Sequence, residues 1–164
     1  MIENHATISH GSELDRIDRR LLMTLQSNGR ISNQELAAAV HLSPAQCNRR
    51  HRRLERLGYV KRYETRLDAD RLGLGVTAFV HLTMERGQFK EVQQFQRTIE
   101  RMPEILECHA VTGDFDYVCK VVASNLKGLS NFLLGTLAQL PGVTGVRSSI
   151  CLNELKCTSA LPIE

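Results

Sequence analysis

Ser32-Asn33-Gln34-Glu35-Leu36-Ala37-Ala38-Ala39-Val40-His41-Leu42-Ser43-Pro44-Ala45-Gln46-Cys47-Asn48-Arg49-Arg50-His51-Arg52-Arg53-Leu54-Glu55-Arg56-Leu57-Gly58 contains two helix starts in close succession. Ser32 and Glu35 have capping-box spacing, in which the hydroxyl and the carboxylate each satisfy a backbone donor of the other residue. Ser43-Pro44-Ala45-Gln46 has the same spacing, with Pro44 at the first helical position, where no amide donor is needed. Gly58 offers a left-handed stop after Leu57. Two short helices joined by about three residues, the second one basic, predict a helix-turn-helix whose second helix enters the major groove.

On that second helix Cys47, Leu54 and Leu57 fall on one side. Gln46, Asn48, Arg49, Arg52, Arg53 and Arg56 occupy the others. Arginine pairs bidentately with guanine, and asparagine or glutamine with adenine. Base reading is therefore expected from the first turns, at Ala45, Gln46, Asn48 and Arg49, with Ser43 and Pro44 at the helix start also counted among the DNA-binding residues. Phosphate contacts are expected from Arg52, Arg53, Lys61 and Arg62.

Upstream, Leu14, Ile17, Leu21, Leu22 and Leu25 mark a first helix, capped by Ser12 and stopped at Asn28-Gly29, after a flexible arm over 1–13. Downstream, Tyr59 to Leu67 reads either as a wing or as a plain connecting strand. Residues 14–67 thus predict a winged helix-turn-helix domain.

Charge agrees with that reading. Residues 43–66 hold 8 Lys and Arg against 2 Asp and Glu, whereas residues 73–164 hold 8 against 9. A cationic field concentrated on one element suits a polyanion, here double-stranded DNA.

After a linker at 68–75 containing Gly73 and Gly75, the period changes. Val76 to Met84 alternates as a strand, and Phe89, Val92, Phe95, Ile99 and Met102 keep helical spacing up to Pro103. Ile105–Thr112 and Tyr117–Ala123 predict a hairpin around Gly113-Asp114-Phe115-Asp116. Leu126 to Leu140 predicts a second helix, stopped by Pro141-Gly142, and Val146 to Leu155 a fourth strand. The fold class is therefore α+β, with a ferredoxin-like βαββαβ sandwich over 76–164. Its open sheet face predicts a homodimer, which would pair two reading heads for half-sites a helical turn apart.

Other classes find little support. Five cysteines without a Cys-x-x-Cys pair argue against a disulfide framework or a metal site and for a reduced cytoplasm. No apolar run approaches the roughly 20 residues of a membrane span, and Met1 to Ser12 has no signal pattern. Cys108 and His109, adjacent on a strand, point to opposite faces and cannot cooperate. Asp114 and Asp116 read as turn chemistry. His51 sits oddly near the apolar side of its helix. No enzyme and no cofactor is expected, and an aromatic content of 5% speaks against an RNA-stacking sheet.

Leu14-Asp15-Arg16-Ile17-Asp18, Asn28-Gly29-Arg30-Ile31-Ser32, Leu42-Ser43-Pro44, Arg53-Leu54-Glu55-Arg56-Leu57-Gly58 and Val111-Thr112-Gly113-Asp114-Phe115-Asp116-Tyr117 resemble the Lrp/AsnC, or feast/famine, family. The resemblance implies a cytoplasmic, nucleoid-associated transcription regulator whose dimers assemble further, commonly to octamers. It also implies a C-terminal RAM-type domain that binds an amino acid effector between subunits. Carried over residue by residue, the effector loop is Gly113, Asp114, Phe115, Asp116 and Tyr117, with Asp116 suited to an α-ammonium group. Thr136, Ser149, Ile150 and Cys151 match effector-sensitive positions across the interface. A DNA-organising protein of the same fold without an effector is the alternative.

Overall fold

The computed structural model describes residues 14–85 and 89–163, which divide into two units. One runs up to Arg66 and takes in the residues from Lys156 onward. The other is Leu67–Leu155.

The first unit is three helices, α1 (Arg16–Ser27), α2 (Asn33–Ala39) and α3 (Pro44–Arg56). The expected arm and the Ser12 cap lie outside the described residues. Asp15 caps α1 instead, its carboxylate accepting from the Asp18 amide at 2.8 Å. The Ser32–Glu35 capping box forms in both directions. Ser43 caps α3 one way, its Oγ accepting from the Gln46 amide. Leu21 and Leu25 of α1, Leu36 of α2, and Cys47 and Leu54 of α3 close one apolar core. Leu57, expected on that side, is the α3 C-cap and stays half exposed. The α2–α3 turn passes through His41 at φ 59, a left-handed backbone on a residue with a Cβ.

No strand is assigned over Tyr59–Leu67. The last residues return to the helical unit rather than staying with the sheet. Gln26 Nε2 donates to the Leu161 carbonyl at 2.9 Å, the Leu161 amide donates back to Gln26 Oε1 at 3.0 Å, and Ile163 packs on the helical core.

The second unit contains β1 (Val76–Met84), α4 (Phe89–Ile99), β2 (Ile105–Ala110), β3 (Tyr117–Ala123), α5 (Leu126–Gly135) and β4 (Val143–Ile150). The sheet order is β2-β3-β1-β4, with every neighbouring pair antiparallel. Each βαβ half thus brackets a strand of the other, the ferredoxin-like arrangement. Val80 and Leu82 of β1 and Cys119 and Val121 of β3 are fully buried in a core with Phe95 and Ile99 of α4 and Leu129 of α5.

Three boundaries differ from expectation for local reasons. β4 starts at Val143, directly after Gly142 turns at φ 81. It ends at Ile150 because β1, its one strand neighbour, runs out: the Cys151 amide donates to the Thr77 carbonyl, and β1 begins one residue earlier. The helix from Leu126 breaks at Thr136 and resumes as a short 3-10 turn, Leu137–Gln139. β2 stops at Ala110, where Val111 turns into the loop and donates to the Asp116 carbonyl.

Candidate functional site

Helix α3 buries Cys47 and Leu54. At 100° per residue, Ala45, Arg49, Arg52 and Arg56 share a stripe on the opposite side, and all four are exposed. Among the described residues no carboxylate lies within ion-pairing distance of these three arginines, whose charge is therefore available to a ligand. Gln46 is exposed in the first turn, and Asn48 is half-buried beside the stripe. Ser43 and Pro44 form the start of the helix, and α2 steadies it, Asn33 Nδ2 donating to the Pro44 carbonyl at 3.0 Å.

Two other arginines of α3 turn inward. Arg50 reaches Asp18 at 2.8 Å and Asp15 at 2.6 Å, and Arg53 reaches the second Asp18 oxygen at 3.1 Å. Asp18 is 1% exposed, so its carboxylate depends on these two guanidinium groups for charge compensation. The Asp18 amide, helped by Arg50, holds the Asp15 carboxyl below the ordinary carboxylate range. Arg53, expected at phosphates, also neutralises a buried acid at the α1–α3 contact. In the sequence Asp15 and Asp18, like Arg50 and Arg53, are spaced one helical turn apart, but that spacing does not say which of them meet.

The segment after α3 is held by Tyr63. Its hydroxyl donates to Glu55 at 3.0 Å and lies 2.6 Å from His51 Nε2, and its ring stands edge-on to the imidazole. Partial burial, with the Glu55 carboxylate, pushes the phenol up to about 12, although the ring is half exposed overall. This anchor fixes the strip carrying Lys61 and Arg62, both exposed, with Arg62 paired to Glu64. Sequence reasoning left His51 unexplained because its partners stand four and twelve residues away.

In the second unit, the loop of Gly113, Asp114, Phe115, Asp116 and Tyr117 is tied down at Asp116. The Asp116 amide donates to the Leu82 carbonyl at 2.9 Å, and its Oδ2 accepts from the Met84 amide at 2.7 Å. One carboxylate oxygen is thus already used by backbone. Phe115 lies on the open sheet face, its ring 4.8 Å from that of His81, with the Arg147 guanidinium 5.4 Å from its centroid. Tyr117 points the other way into the core, 4.8 Å from the Phe95 ring. Asp116 and Tyr117, with Met84, Glu85, Val92 and Ala110, line a cleft of about 290 Å³.

The remaining expected effector residues stand elsewhere. Thr136 terminates α5. Ser149 pairs with Phe79 and Ile150 with Ala78, and Cys151 bonds Thr77, at the far end of β1 from Leu82. From Thr77 to Leu82 is roughly 16 Å of strand. One chain therefore brings 113–117 together and leaves 149–151 apart from them. Among the described residues no cluster of His, Cys, Asp or Glu could hold a metal ion, and no helix is long and apolar enough to cross a membrane.

Comparison with known proteins places both units. Residues 14–61 match a winged helix-turn-helix DNA-binding model, and residues 77–161 match the Lrp/AsnC ligand binding domain. The leucine-responsive regulatory protein of Escherichia coli K12 is 41% identical over 154 residues, covering 94% of each chain. A Neisseria meningitidis transcriptional regulator, solved as a complex with L-Met, superimposes with a TM-score of 0.88 at 36% identity, over 92% of this chain and 97% of that one. An AsnC family regulator from Agrobacterium tumefaciens gives 0.84 at 28% identity, covering 90% and 96%.

Proposed function

The chain belongs to the Lrp/AsnC family of DNA-binding transcriptional regulators, and we propose that it reads promoter DNA through the exposed stripe of α3 and responds to an amino acid. The observation that carries the DNA reading is the division of α3. Cys47 and Leu54 are buried, Arg50 and Arg53 are consumed by Asp18, and Ala45, Arg49, Arg52 and Arg56 face outward. Ala45, Gln46, Asn48 and Arg49 are the base-reading set, with Ser43 and Pro44 setting the helix start against the DNA. Arg52, Arg56, Lys61 and Arg62 serve the phosphates.

The amino acid reading rests on the matched ligand-binding domain and on the relative that carries L-Met. Gly113 to Tyr117 is the loop that receives the effector, with the free oxygen of Asp116 as the group for its ammonium. Thr136, Ser149, Ile150 and Cys151 contribute from a second subunit, since within one chain residues 149–151 lie too far away. Dimers built on the open sheet face, and higher assemblies up to octamers, place the heads on successive half-sites in the nucleoid of a cytoplasm. An effector that binds one assembly better than another by ~1 to 3 kcal/mol is enough to shift promoter occupancy.

The test is binding of the full chain to the DNA upstream of its own gene, at fixed salt, with each proteinogenic amino acid in turn. A change in affinity or mobility with one of them supports the sensor. DNA binding that none of them moves overturns the effector half and leaves the DNA-organising alternative. Loss of binding is expected in the Gln46→Ala/Arg49→Ala double variant, and its retention overturns the role of α3.

A further inference from the structure

Cys108 of β2 and Cys119 of β3 are direct cross-strand partners in the sheet register. Their side chains turn to the same, helix-covered face, and Cys119 Sγ donates to Cys108 Sγ at 3.3 Å. Directly opposed antiparallel residues have Cα atoms about 4.5 to 5.5 Å apart, inside the range a disulfide spans. The bond can therefore form without separating the strands. Cys119 is fully buried, while Cys108 is half-buried on an edge strand. The ladder around it is loosened by a bulge between Ile105 and Glu107. Of the two, Cys108 is thus the residue nearer solvent and Cys119 the one enclosed by the core.

We propose that Cys108 and Cys119 form a redox-active pair, Cys108 the sulfur attacked first and Cys119 the resolving one, with a hydroperoxide as the oxidant.

The thiol chemistry fits this division. The hydrogen bond from Cys119 brings the Cys108 thiol down to about 7, against the opposing effect of burial and with help from the His109 charge, while the same bond and burial push Cys119 up. Of the two thiols Cys108 is thus the one whose ionised form is favoured, and the thiolate is the nucleophile. Its sulfur attacks the peroxide: an S–O bond forms, the O–O bond breaks, and the leaving alkoxide or hydroxide takes a proton. Cys108 is left as a sulfenic acid. Cys119 then loses its proton as its sulfur attacks that of Cys108. The S–S bond forms, the S–O bond breaks, and hydroxide departs as water. Two thiols supply the two electrons that reduce one hydroperoxide. The product closes the hairpin that carries residues 113–116, and a dithiol reverses it.

The proposal goes beyond the effector reading and is tested by thiol chemistry alone. The full chain is treated with one equivalent of hydrogen peroxide at pH 7, and its thiols are counted after denaturation and mapped by mass spectrometry. Loss of two of the five thiols, with a dithiol-reversible link between the Cys108 and Cys119 peptides, is expected. Cys119→Ala should leave a sulfenic acid on Cys108 that a cyclic dione traps. Cys108→Ser should abolish the intramolecular link. Oxidation confined to the exposed Cys157, or a link between chains through other cysteines, overturns the proposal. Because the wild-type protein itself is mapped, the outcome does not depend on either variant folding.

Discussion

The Tyr63 phenolic oxygen lies 2.6 Å from Nε2 of His51 while donating its proton to Glu55 at 3.0 Å. Since that proton is spent on the carboxylate, Nε2 must carry the hydrogen that completes the contact. A side chain beyond α3 is thereby fastened to the flank of α3 beside its apolar side, and the cationic strip around it is held in place without a β-ladder.

Tyr63→Phe should cost about 1 kcal/mol at neutral pH, the worth of one such bond. The Tyr63 pKa is raised from 10.0 to about 12, so its contribution is complete below pH 10 and is lost as pH rises through 12. Urea unfolding of both proteins should show a gap at pH 7 that narrows above pH 10. A gap that holds constant or widens would refute the assignment.

Arg49 and Arg53 should separate binding from stability. Arg49→Ala is expected to change stability by less than about 0.5 kcal/mol, as surface changes do, yet to weaken promoter binding and lower its salt slope by about 1. Asp18→Ala removes a buried carboxylate but leaves two partly solvated arginines, so about 2 kcal/mol is expected, below the cost of stranding a fully buried charge. Arg53→Ala should also act on stability, by leaving that acid half compensated. Thermal unfolding and DNA titration on the same preparations distinguish the two patterns.

Acid should loosen the helical unit through its caps. Asp15 is held below its ordinary 3.8 chiefly by the Asp18 amide, and Glu35 below 4.5 by the Ser32 hydroxyl and amide. Depressed carboxylates stabilise the fold above those ordinary values and cease to as pH falls through the lowered ones. An Asp15→Asn/Glu35→Gln variant should be less stable than wild type at pH 7, and the difference should shrink toward pH 3. Circular dichroism melts across that window would show a pH-independent difference if the caps were irrelevant.

His41, at φ 59, occupies backbone space that a Cβ disfavours by roughly 1 to 2 kcal/mol. His41→Gly should match or exceed wild-type stability. A branched side chain, as in His41→Val, should lower it by at least about 1 kcal/mol. Equal melting temperatures for the two variants would mean that the turn adjusts.

The sequence by itself determined the helix-turn-helix, because Ser32, Glu35, Ser43, Pro44 and Gly58 act on backbone donors and dihedrals a few residues away. Strand and helix periods over 76–150 likewise carried the βαββαβ order, since alternation is a local property of the chain. Tertiary structure alone decided which charges are free. Arg49 and Arg53 look alike in the sequence, yet only the packing of α1 on α3 brings Asp18 against one of them. It decided the loop as well, where Asp116 spends an oxygen on Met84 and Phe115 lies against His81, partners more than thirty residues away. Where β4 ends depends on where β1 ends, and the chemistry of Cys108 depends on Cys119 standing across the hairpin. Such facts arise from distances between segments remote in the chain, which neither propensity nor period encodes.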